Sequence, residues 1–258
     1  MSANALFELT GKTAIITGGG RGLGAQIAHG FAEAGIENLV LCSRNQQVCQ
    51  EIADELKQSF PIQTLALTCD ITNSEDVKNV VQQTVEAFGR IDILVNNSGA
   101  SWGEKVENMP QAAWEKVINI NVNGTFLMSQ EVGKVMIQQK SGKIINIASI
   151  AGFGGTPEFM QTIGYNTSKG AVMTFTKDLA VKWGRHNICV NAIAPGFFPT
   201  KMSSQLIEYG KDQILALTPL KRLGNDQDLK GAAIFLAAPA SDYITGAILT
   251  VDGGASAL

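Results

Sequence analysis

Residues 13–24 read TAIITGGGRGLG, and this stretch decides the fold. A short β-branched run stops at Thr17 and gives way to Gly18, Gly20, Gly22 and Gly24, with Arg21 and Leu23 between them. The following segment, 22–34, places Ile27, Ala28 and Phe31 at helical spacing. A strand that turns through glycines into a helix points free N–H groups and the positive end of the helix dipole at the turn, which suits an anion. Glycines there let a diphosphate approach the backbone. Leu23 breaks the G-x-G-x-x-G form. The pattern present is T-G-x-x-x-G-x-G, carried by Thr17, Gly18, Gly22 and Gly24. The plain alternative is a glycine-rich turn with no ligand.

The rest of the chain repeats that alternation. Apolar strands are expected at 13–17, 38–43, 64–69, 91–95, 143–148, 188–193 and 247–251. Helices are expected at 22–34, 46–59, 74–88 (capped by Ser74 and stopped near Gly89), 111–139, 165–183 and 226–238. Strands separated by helices of this length pair in parallel through crossovers. Nearly all-apolar strands are those covered on both faces. With no linker and no internal repeat, the expectation is α/β: one doubly wound domain spanning 1–258, a seven-stranded parallel sheet with helices on both faces. In such sheets a ligand lies past the carboxyl ends of the strands.

Composition narrows the function. Of 258 residues, 45% are hydrophobic and 17% charged, with net charge −3, as in a compact enzyme-sized domain rather than a disordered chain. No basic stripe is present to neutralise phosphates, so no nucleic acid partner is expected. No apolar run reaches the ~18–20 residues of a membrane span, and the first ten residues do not read as a signal peptide. Cys42, Cys49, Cys69 and Cys189 form no C-x-x-C, and His29 lies far from His186. No metal site is expected, and the thiols suggest a reducing cytoplasm.

Readers of NAD carry a carboxylate about 20 residues past the glycines, where it meets the ribose 2′-hydroxyl. Here that place holds Ser43-Arg44-Asn45, and Arg21 lies in the glycine loop. A guanidinium forks onto a phosphate and gains nothing comparable from a hydroxyl. NADP(H) is therefore expected over NAD(H), against the alternative of two solvated arginines. Tyr165 and Lys169 stand four apart on an expected helix and share a face. A phenol has a reference pKa near ~10, and a nearby ammonium can lower it, so Tyr165 is the candidate acid and Lys169 its electrostatic partner. Y-x-x-x-K alone is weak. It gains weight from Ser149 after the fifth strand, from Asn97-Ser98-Gly99 after the fourth, and from Asn121 and Asn123, poor helix formers that imply a kink or a bound water.

These motifs, in this order, resemble the short-chain dehydrogenase/reductase family, with its Rossmann-type fold, over almost the whole chain. The likeness extends to Asp70-Ile71, to 191–196 (NAIAPG) and to 251–254 (VDGG), and is nearest to 3-oxoacyl-carrier-protein reductases and gluconate 5-dehydrogenases. The resemblance implies that Tyr165 protonates a ketone oxygen, Lys169 also binds the ribose hydroxyls, Ser149 orients the substrate, and Asn121 holds a water of the proton relay. It implies that Asp70 and Ile71 meet the adenine, and that Asn97, Pro195, Gly196, Phe198 and Thr200 border the cofactor. It also implies a homotetramer. Ser98 replaces the family's usual alanine. Ser149 and Tyr165 are further apart than is usual, so the loop 152–164 (GFGGTPEFMQTIG) is lengthened beside the substrate. Phe153, Phe159, Met160, Phe197 and Phe198 suggest an apolar pocket, which favours a 3-oxoacyl thioester or another hydrophobic ketone; a polyol or sugar-acid substrate is the alternative. A reading of another class is a non-catalytic NADP(H)-sensing regulator. Such proteins lose Tyr or Lys, and turnover of any activated ketone separates the two.

Overall fold

The computed structural model describes residues 2–257. Seven strands, β1 (Thr13–Thr17), β2 (Asn38–Ser43), β3 (Gln63–Thr68), β4 (Ile93–Asn96), β5 (Gly142–Ile147), β6 (Ile188–Pro195) and β7 (Ile248–Val251), are joined by helices. These are α1 (Gly22–Glu33), α2 (Gln46–Ser59), α3 (Ser74–Phe88), α4 (Gln111–Ile118), α5 (Gly124–Gln139), α6 (Ile163–Trp183), α7 (Ser204–Leu217) and α8 (Lys230–Ala237). The strands form one sheet in the order β3-β2-β1-β4-β5-β6-β7, and every pairing is parallel. The order reverses at β1, so the crevice beyond β1 and β4 is the place for a ligand.

Strand periodicity builds the two covering layers. Ala14 and Ile16 face one side, where they pack with Ile27 and Phe31 of α1, Leu56 of α2 and Leu236 of α8. Ile15 faces the other, with Val77 and Val80 of α3, Met128 and Val132 of α5 and Leu179 of α6. A buried polar chain crosses the second layer. The Asn96 amide donates to Ser129 Oγ (2.9 Å) and Asn146 Oδ1 (2.8 Å), and the Asn146 amide donates to Thr176 Oγ1 (2.9 Å).

Several expected boundaries move. The single helix expected at 111–139 is α4 and α5 separated by a π-helical turn at Asn119–Asn123. There the buried Asn121 side chain bonds outside the helix, at Ala100, and such wide turns recur at functional sites. The cap of α3 is Asn73 rather than Ser74: its Oδ1 accepts from the Glu75 N–H (2.9 Å) and the Asp76 N–H (3.4 Å). The helix expected from 226 starts at Lys230, because Asp228 closes a turn by accepting from the Asn225 N–H (2.8 Å) while pairing with Arg222. Helix α7 was not expected at all. Among the described residues no helix is long and apolar enough to cross a membrane, and no group of His, Cys, Asp or Glu is placed to hold a metal ion. All four cysteines are free and buried.

Candidate active site

A cleft of about 1670 Å³ opens beyond the carboxyl ends of the strands. Its floor is the glycine loop. Gly18 (φ 65°) and Gly22 (φ 54°) hold left-handed conformations, which only glycine adopts cheaply. The loop is fixed from below. Thr17 Oγ1 accepts from the N–H groups of Asn97 and Ser98, both at 3.0 Å, and the Asn97 amide donates to the carbonyls of Thr17 (2.9 Å) and Gly18 (3.2 Å). Gly24 lies behind the loop, where a Cβ would stand 2.4 Å from the Gly18 oxygen. Thr17 and Gly24 therefore shape the loop from outside the cleft wall, whereas Gly18, Gly20, Arg21, Gly22 and Leu23 line it.

Ser43, Arg44 and Asn45 leave β2 on the same wall. The Ser43 hydroxyl donates to the Asn45 carbonyl (2.7 Å), and Asn45 caps α2 by accepting from the Gln47 N–H (3.1 Å). That turn presents Arg44 to the cleft, together with Arg21. The Thr72 amide and hydroxyl hold the Asp70 carboxyl below its ordinary range, helped by the Arg44 guanidinium and opposed by desolvation. Ile71 is buried against Gly124, where a Cβ would come within 2.5 Å of its Cδ1. Asp70, Ile71, Asn97, Ser98, Gly99, Pro195, Gly196 and Thr200 all reach the cleft. Phe198 lies on the cleft wall as well. It is only 4% exposed and also belongs to the core, with its ring closed off by Gly224.

At the other end of the cleft, Ser149 follows β5 in extended backbone (φ −170°) and accepts from the Ala151 N–H at 3.2 Å. Lengthening of the loop leaves this anchor in place, because β5 ends at Ile147. Tyr165 and Lys169 project from the first turns of α6 into the same space. The Lys169 ammonium lies 5.5 Å from the Tyr165 ring centroid and donates to the Ile147 carbonyl at 2.7 Å. It therefore stands over the ring face and is tied to the backbone. Here the expectation of an acidified phenol is corrected. Burial pushes Tyr165 up, with the Ser149 hydroxyl pulling the other way. Burial pushes Lys169 down, to about 8. The phenol thus holds its proton, as a donor must.

Asn121 stands behind the cleft wall. Its Oδ1 accepts from the Ala100 N–H (2.7 Å), and its amide donates to the Ala100 carbonyl (2.9 Å) and Ser168 Oγ (2.8 Å). Ser168 donates in turn to the Tyr165 carbonyl (2.7 Å). Asn121 and Ser168 thereby clamp the start of α6 to the loop after β4. Ser168 was missed as a functional candidate; its signal was its place three residues after Tyr165, on the inward side of the helix. Met202, Leu206 and Leu217 on the wall were missed as well. The residues fit a dinucleotide phosphate cofactor: a glycine loop with left-handed turns at Gly18 and Gly22, the amino end of α1 beside it, and Arg21, Arg44 and Lys169 along the same cleft.

Comparison with known proteins agrees. A family model described as enoyl-(acyl carrier protein) reductase matches residues 18–256. The chain is 40% identical over 251 residues to a 2-dehydro-3-deoxy-D-gluconate 5-dehydrogenase of Dickeya dadantii, covering 96% of each. It is 35% identical over 247 residues to a 3-oxoacyl-[acyl-carrier-protein] reductase of Synechocystis, covering 95% of this chain and 97% of that one. The solved structure of a gluconate 5-dehydrogenase from Burkholderia cenocepacia, in complex with NADP and tartrate, matches with a TM-score of 0.93 at 34% identity over 100% of both chains. The chain belongs to the short-chain dehydrogenase/reductase family. As a member of that family it is an oxidoreductase, and further related structures, at 34% identity, are solved with NADP.

Proposed function

We propose that this protein reduces a ketone flanked by apolar substituents, of the 3-oxoacyl thioester class, to a secondary alcohol. The observation that carries the proposal is the meeting of Ser149, Tyr165 and Lys169 at the end of a cleft walled by Phe153, Met160, Phe197, Met202, Leu206 and Leu217. NADPH, when bound, supplies the hydride. Gly18, Gly20 and Gly22 would receive its diphosphate at the amino end of α1, and Arg21 with Arg44 would hold the 2′-phosphate. Ser149 holds the carbonyl oxygen by a hydrogen bond. Tyr165 gives that oxygen its proton, and the Lys169 ammonium stabilises the phenolate left behind while binding ribose hydroxyls. Asn121 and Ser168 keep the helix bearing Tyr165 in register with the cleft.

A second reading is a keto sugar acid. The names of relatives support it: besides the dehydrogenase above, a 5-keto-D-gluconate 5-reductase of Escherichia coli is 36% identical over 256 residues. Lys201 on the cleft wall is the cation a carboxylate would use. Rates of NADPH oxidation with an acetoacetyl thioester, a bulky diketone and a 5-keto sugar acid decide between them. The apolar wall predicts kcat/KM at least about tenfold higher for the first two, the scale on which apolar pockets discriminate. The reverse order moves the assignment to the sugar acid.

The pH profile follows from the buried pair. Lys169 is charged below about 8, and Tyr165, raised by burial, keeps its proton through that range. The value of kcat/KM for reduction should hold level below about pH 8 and decline above it as the ammonium is lost. A level profile through that pH would remove Lys169 charge from the account.

The apolar faces of α5 and α6 support a homotetramer. Phe126 (45% exposed) stands edge-on to Phe175, and Val181 is 83% exposed. Sedimentation that finds a monomer at assay concentration would reject this assembly. The four reduced thiols support a cytoplasmic setting.

A further inference from the structure

The lengthened loop at 152–164 contains one aromatic side chain that the site above does not use. Phe159 is not on the cleft wall, whereas its neighbour Met160 is, and Met160 is only 8% exposed. The Phe159 ring is turned onto α7. A Cβ on Gly210 would stand 2.8 Å from its Cε2 and 3.2 Å from its Cδ2. Gly210 is buried in the middle of α7. Leu206 lies one turn before it and Leu217 two turns after, and both line the cleft, so Gly210 belongs to the cleft-side face of the helix. Glycine weakens a helix interior; here its bare face is what the ring occupies.

The remainder of the loop is tied on its other side. The Gln161 carbonyl accepts from the Glu104 N–H at 2.8 Å. The Asn166 amide donates to Thr156 Oγ1 at 3.1 Å, and the Thr156 hydroxyl donates to the Met160 carbonyl at 3.3 Å. The loop is thus held at α6 and at the segment after β4, and Phe159 packs on α7.

We propose that Phe159 and Gly210 act as peg and socket, fixing Met160 on the cleft wall, and that this pair selects ketones whose apolar chain extends to Met160 and Leu206. Phe159 is a positioning residue acting through Met160. The proposal rests on the reading of the cleft as a ketone reductase site.

The test compares wild type with Phe159→Ala, Gly210→Ala, the double variant and Phe159→Leu. Each is assayed at saturating NADPH on a short ketone, the acetoacetyl thioester of N-acetylcysteamine, and a long ketone, its 3-oxodecanoyl counterpart, with NADPH binding measured by fluorescence and thermal midpoints recorded. Each alanine variant is expected to raise KM for the long ketone by about tenfold, with kcat, the short ketone and NADPH affinity nearly unchanged. In the double variant the added methyl enters the space the ring leaves, so its loss should be no greater than that of Phe159→Ala alone. Phe159→Leu should recover most of the selectivity. Additive losses in the double variant, or equal losses for both ketones, overturn the peg and socket. Should Gly210→Ala fail to fold, an unaltered long-ketone KM in Phe159→Ala and Phe159→Leu overturns it instead. A wild-type protein that reduces neither ketone removes the reading of the cleft, and this inference with it.

Discussion

Tyr165→Phe is expected to lower kcat by about 10²–10⁴-fold, the usual contribution of a positioned general acid, with NADPH binding nearly unchanged. The substitution removes one oxygen and keeps the ring that packs under Lys169 at 5.5 Å. The Lys169 bond to the Ile147 carbonyl and the Asn121–Ser168 clamp on the Tyr165 backbone do not depend on that oxygen. The loss should therefore fall on turnover and leave the fold and the cofactor site intact. Burial raises the phenol, so in the proposed mechanism it carries its proton before the ketone arrives. A variant with kcat within about tenfold of wild type would show that another group, or water, donates the proton.

Arg44→Asp is expected to invert the choice of nucleotide. The Ser43–Asn45 turn that presents Arg44 is held by the Ser43 hydroxyl and the Asn45 cap, bonds that the substitution does not touch. A carboxylate there repels the 2′-phosphate and can accept from a ribose hydroxyl. Each charge-assisted bond lost is worth about 1.5–3 kcal/mol, so a forked pair puts kcat/KM for NADPH down by roughly 100-fold or more. The value for NADH should hold or rise. Asp70, whose carboxyl Arg44 helps to keep charged, adds to the repulsion. Equal effects on the two nucleotides would show that Arg44 does not meet the phosphate.

Most of the fold was legible because strand and helix periods alternate from end to end. The runs at β1, β2 and β6 are buried along nearly their whole length, and a parallel sheet covered on both faces is the arrangement that buries such runs. The phosphate loop and the Ser149, Tyr165 and Lys169 set were also legible, because each occupies the end of a strand or one face of a helix. What escaped the sequence was set by contacts between distant segments. Helix α7 carries apolar residues at helical spacing, Leu206, Ile207, Ile214 and Leu217, but no strand or motif beside it marks it out in the sequence. The wide turn at Asn119–Asn123 depends on Ala100 accepting and donating across the wall. Thr17 and Gly24 also hold the loop from behind, a supporting role that spacing does not reveal. Phe198 lines the cleft and also packs into the core, a second contact that spacing does not show. The phenol's direction was misread because sequence gives the proximity of Lys169 but neither the burial of both groups nor the bond that ties the ammonium to Ile147.

The family model that matches this chain bears the name of a carbon–carbon double-bond reductase, whereas the roles proposed for Tyr165 and Ser149 serve a carbonyl oxygen. One measurement separates the two chemistries directly. An α,β-unsaturated ketone is offered together with NADPH carrying deuterium at its transferable position, and the product is examined by NMR. Deuterium on the carbinol carbon of an unsaturated alcohol is the predicted result. Deuterium on the β-carbon of a saturated ketone would contradict the account.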